Sequence, residues 1–85
     1  DLQEVMQNVP KEARLCAADR IQAHVTWHLD TWSLRDSLYD CEYLIFTNLP
    51  GDLGNHRGQQ AVASGQYEVF VSKGDITLAK RKPRP

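Results

Sequence analysis

One stretch constrains this chain more than any other: Gln66-Tyr-Glu-Val-Phe-Val-Ser-Lys-Gly-Asp-Ile-Thr-Leu-Ala-Lys-Arg-Lys82. It reads as a β-hairpin. Tyr67, Val69 and Val71 share one face of its first strand, and Ile76 and Leu78 share the matching face of the second. Lys73-Gly-Asp75 supplies the turn, with Gly74 free to take positive φ. Pro83 and Pro85 stop further pairing. A two-stranded hairpin is marginal alone in water, so other strands must come from upstream.

Leu2, Val5, Met6 and Val9 fall at i, i+3, i+4, i+7 and line one face of a short helix. Pro10 ends it and suits the first position of a second helix over about 10–20. From Ile21 to Asp30 apolar and polar residues alternate, the pattern of a strand with one buried face. Ser33 and Asp36 outline a capping box for a helix over 33–40. Tyr43-Leu-Ile-Phe-Thr47 is a compact apolar run rich in β-formers and predicts a buried strand. The segment from Asn48 to Gly58 holds three glycines and a Pro-Gly pair, so it reads as a loop. Gln59 to Ala63 reads as a short strand. The expected class is α+β: a sheet of three to five strands, antiparallel or mixed, with two or three short helices packed on one face.

Eighty-five residues make one small domain, assigned to 1–79, followed by a basic, proline-containing tail at 80–85. Hydrophobic residues at 41% and charged residues at 25% exclude wholesale disorder. No apolar run reaches the ~18–20 residues of a membrane helix, and no signal-peptide pattern is visible. Cys16 and Cys41 are too few for a disulfide scaffold and form no CxxC pair. They read as free thiols in a reducing compartment, which implies the cytoplasm; a single Cys16–Cys41 bridge is the alternative for a secreted protein.

The net charge of −1 hides an asymmetry. Residues 1–72 carry five basic and ten acidic side chains, a balance of −5, whereas 73–85 carry five basic and one acidic, +4. Lys73, Lys80, Arg81, Lys82 and Arg84 are therefore candidate nucleic-acid contacts, because each neutralised phosphate releases counterions. The acidic body opposes nucleic acid everywhere else. A second candidate surface joins Trp32, Asp36, Tyr39, Asp40 and Glu42, aromatics rimmed by charge as at protein interfaces.

His24 and His28 would share a face on a helix, but on a strand their spacing separates them by about 13 Å, too far for one ion. Gly51, Gly54 and Gly58 around His56 match neither phosphate-loop spacing. The reading that results is a small non-enzymatic regulatory module without cofactor. It binds a protein partner or a second copy of itself, or nucleic acid through the hairpin and tail, and no membrane. The alternative is a small metal-binding or hydrolytic domain using His24, His28 or His56 with a cysteine.

Overall fold

The computed structural model describes residues 2–25, 30–34, 38, 40–49 and 51–83. In chain order these form α1 (Leu2–Met6), β1 (Leu15–Ala17), α2 (Asp19–Gln22), β2 (Thr31–Ser33), β3 (Tyr43–Thr47), α3 (Leu53–Ala63), β4 (Tyr67–Lys73) and β5 (Ile76–Arg81). The fold is α+β. Its five strands lie in the order β2-β1-β3-β5-β4, with β1 parallel to β2 and β3, and β5 antiparallel to both β3 and β4.

Both faces of the sheet are covered. On one, Val5 and Met6 of α1 and Ile21 of α2 pack with Leu15, Ala17, Tyr43, Ile45 and Leu78. On the other, Ala61 of α3 packs with Cys16, Leu44, Phe46, Tyr67 and Ala79. The helices are thus divided between two faces, where the sequence led us to expect one. This explains the continuous burial of β1 and β3: central strands covered on both sides read as apolar runs rather than alternations.

Several local expectations are overturned. Leu15-Cys-Ala17 lies in a strand, not in a helix over 10–20, because burial on both faces overrides the helix preference of leucine and alanine. Ile21 lies in a helix, not a strand; Ile21 and Val25, four apart, are buried while Ala23 between them is exposed. Thr31–Ser33 forms the second strand instead, and half of the expected 33–40 helix, residues 35–37 and 39, lies outside the described residues. The hairpin stands, with Gly74 at φ +60°, but a bulge between Val69 and Val71 shifts its register. Tyr67 and Val71 consequently face opposite cores, not one face shared with Val69. Lys80 and Arg81 belong to β5 itself.

The largest correction is α3, which occupies the second half of the expected loop, 53–58, and the expected strand at 59–63. Asp52 caps it, accepting from the backbone N–H groups of Gly54 (2.8 Å) and Asn55 (3.3 Å). Two of the glycines that suggested a loop sit four apart on its inner face. A Cβ at Gly54 would meet the Ala18 backbone at 2.8 Å, and one at Gly58 would meet the Phe46 ring at 2.4 Å. Glycine is required there by close helix–sheet approach. Gly58→Ala is expected to destabilise by about 1–3 kcal/mol through overpacking, partly offset by helix propensity worth up to ~1 kcal/mol. Urea denaturation checks this against Gln60→Ala, exposed on the same helix and expected to stay near the parent. A neutral Gly58→Ala would mean that Phe46 yields freely.

Cys16 and Cys41 form a disulfide, with Cα atoms 5.9 Å apart and a separation of 25 positions in sequence. The expectation of two free thiols is overturned. Both residues are fully buried in the core under α3.

Candidate binding surface at one end of the sheet

Parallel and antiparallel pairing brings the starts of β1, β3 and β4 to the same end as the finish of β5. Three backbone bonds tie that end together: Tyr43 N–H to Arg14 C=O (3.3 Å), Arg81 N–H to Glu42 C=O (2.8 Å) and Lys82 N–H to Gln66 C=O (3.0 Å). The described residues of the two candidate sets therefore lie toward that end, Trp32 on edge strand β2 with β1 and β3 between it and β5, with one exception. Lys73 lies at the opposite end of β4, where its ammonium contacts the Glu4 carboxylate at 2.9 Å. That hydrogen bond, with the attraction of the Lys73 charge, holds the Glu4 carboxyl below its ordinary value. Asp36, Tyr39 and Arg84 lie outside the described residues.

The basic residues at this end do not form one patch. Neighbours on a strand point to opposite faces, and Lys80 and Arg81 do so. Lys80 Nζ lies 5.9 Å from the Tyr43 ring centroid and 5.7 Å from that of Phe70. The two rings meet edge to face at 6.3 Å. Arg81 packs on the other side, donating from Nη2 to the Cys41 carbonyl at 3.1 Å and lying 3.7 Å from the Asp40 carboxylate. The Tyr67 hydroxyl donates to the same carbonyl. Asp40 itself adopts φ +56°, a left-handed conformation that aspartate tolerates better than most residues. Lys82 and Glu42 are exposed.

Trp32 is exposed on β2. The Arg14 guanidinium sits 4.9 Å from its ring centroid, Arg14 Nε reaches Asp30 at 3.3 Å, and the indole N–H donates to the same carboxylate. Trp32 is thus an element of surface structure held by its neighbours, as well as an exposed ring.

The sequence reading did not single out Phe70 or the wall formed by Leu38 and Gln66. The pairing of Tyr43 with Lys80 depends on which strands adjoin, and the exposure of Phe70 depends on the bulge. Neither leaves a local pattern. Val69 and Phe70 are 52% and 48% exposed on the outermost strand.

His24 and His56 are exposed on separate elements, and His28 lies outside the described residues. Among the described residues no group of three His, Cys, Asp or Glu side chains is placed to hold a metal ion. The cysteines that a nucleophile or ligand role requires are bonded to each other. No described helix is long and apolar enough to cross a membrane. Comparison of the chain with protein families, curated proteins and solved structures finds no match.

Proposed function

We propose that this domain is a non-enzymatic protein-binding module whose contact surface is the outer strand of the hairpin. The observation that carries the reading is Phe70: a large apolar side chain, half exposed on an edge strand, packed edge to face on Tyr43 and with Lys80 beside its ring. An aromatic anchor beside a cation suits an acidic protein segment. A sheet edge adds backbone donors and acceptors for an extended one. The distribution of charge supports protein over nucleic acid. Lys73 is ion-paired far from the rest, and Lys80 and Arg81 face opposite ways, so among the described residues the basic side chains offer no continuous track for a phosphate backbone.

The compartment follows from a different feature. The cytoplasmic expectation rested on free thiols, and a fully buried disulfide supports an oxidising compartment instead.

A photo-crosslinking residue at position 70 tests the surface. The expected product joins position 70 to an acidic segment of another protein, identified by mass spectrometry of the cross-linked peptide. A crosslinker at Gln60, on α3, should not give it. Phe70→Ala and Lys80→Glu are each expected to weaken binding of that segment at least tenfold, about 1.4 kcal/mol. A cross-link to a second copy of this chain, or one insensitive to Lys80→Glu, would overturn the assignment.

A further inference from the structure

We propose a second, separate site: a small-oxyanion pocket on the opposite face of the hairpin from Phe70. A concavity of about 410 Å3 opens between Leu38 and Asp40 on one side and Gln66, Tyr67, Arg81 and Lys82 on the other. That volume lies in the range of small-ligand clefts. Its ligand is a carboxylate or phosphate group carried on a compact organic body.

The chemistry of the lining selects the anion. Among the described lining residues Arg81 and Lys82 accompany one carboxylate, Asp40, so the described lining carries an excess positive charge. Arg81 is partly buried, and its Nη2 is anchored on the Cys41 carbonyl. A guanidinium offers five donors in a planar fork, so anchoring one nitrogen leaves capacity for an oxyanion. The wall is preorganised. The Cys41 carbonyl takes two donors, from Tyr67 and Arg81, and its residue is fixed to β1 by the disulfide. Little ordering is then required on binding.

Asp40 acts as an internal stand-in for the ligand. Its carboxylate is 3.7 Å from Arg81, a loose contact, and its side chain is 88% exposed. Exposed pairs of this kind contribute little. An entering oxyanion that bridges Arg81 and Lys82 replaces that contact with shorter charge-assisted bonds. Leu38 and Tyr67 supply the apolar wall for the remainder of the ligand.

The test is a titration of the 15N-labelled full chain with sodium phosphate and, separately, sodium acetate, at constant ionic strength. The expected result is saturable movement of backbone amide resonances at 38, 40–41, 65–67 and 81–82, with at least one of the anions. The anion that saturates at lower concentration assigns the group. Asp40→Asn is expected to tighten binding several-fold by removing the internal competitor, and asparagine tolerates the same left-handed backbone. Lys82→Gln is expected to weaken it several-fold; Lys82 is exposed, and unchanged resonances elsewhere show that the fold is intact. The proposal is overturned if neither anion saturates, if shifts spread to other basic positions such as Lys73, or if either variant leaves the affinity unchanged.

Discussion

Replacing Cys16 and Cys41 together by alanine is expected to lower the free energy of unfolding by about 3–4 kcal/mol. The figure follows from loop closure: a bridge spanning 25 residues restricts the unfolded chain by roughly that amount. For a domain of this size each kcal/mol moves the melting temperature by about 4–8 °C, so the expected fall is of the order of 15–25 °C. Small domains have about 5–15 kcal/mol in total, which makes this bond a large share of the whole. Parent protein in reductant should melt close to the alanine variant. Denatured without reductant, the parent should take up no thiol-alkylating reagent; two adducts per chain would show that the bridge is absent and would withdraw the argument for an oxidising compartment.

The second large effect is expected at Asn55, a polar side chain buried in the α3 interface. Its carbonyl accepts from Thr47 N–H at 2.8 Å, and its amide donates to Thr47 Oγ1 at 2.7 Å and to the Leu49 carbonyl at 3.0 Å. Three bonds from one residue close the turn between the end of β3 and the start of α3. Asn55→Leu keeps the volume but strands the buried Thr47 amide and the Leu49 carbonyl, and leaves the Thr47 hydroxyl only the Leu49 N–H at 3.3 Å. Each unsatisfied buried group costs about 1–3 kcal/mol, so a loss of about 3 kcal/mol is expected in chemical denaturation. Hydrogen exchange of the Thr47 amide provides the local check. A variant as stable as the parent, with Thr47 still protected, would mean that the turn holds without Asn55.

These two sites also show what could be read from the chain before its structure was known. The hairpin, β3 and α1 were legible because each is set by neighbouring residues: alternation about Gly74, the apolar run at Tyr43–Thr47, and helical spacing from Leu2 to Val9. Leu15-Cys-Ala17 was not, because a short strand covered on both faces has no periodicity to display. In α3 the same glycines admit two meanings, a flexible loop or a close contact, and only Phe46 and Ala18 across the interface decide between them. Of the candidate site, the chemistry of Lys80, Arg81, Lys82, Asp40 and Trp32 was visible, but their division between two faces was not. That division depends on strand order and on one inserted residue in β4. The pairing of Cys16 with Cys41 likewise depends on β1 lying beside β3.

The strand order has a consequence for how the domain is made. β5 is the last element in the sequence, yet it lies inside the sheet, between β3 and β4. Until it has been synthesised, β3 has an open hydrogen-bonding edge and β4 has no neighbour. A nascent chain halted at the Gly74 turn therefore holds β1 to β4 without the strand that joins the parallel half of the sheet to the hairpin. Assembly must wait for the closing residues to emerge, and a chain released or cleaved before Ile76 leaves an incomplete sheet rather than a shortened one. The sheet is complete only when β5 joins its parallel half to β4.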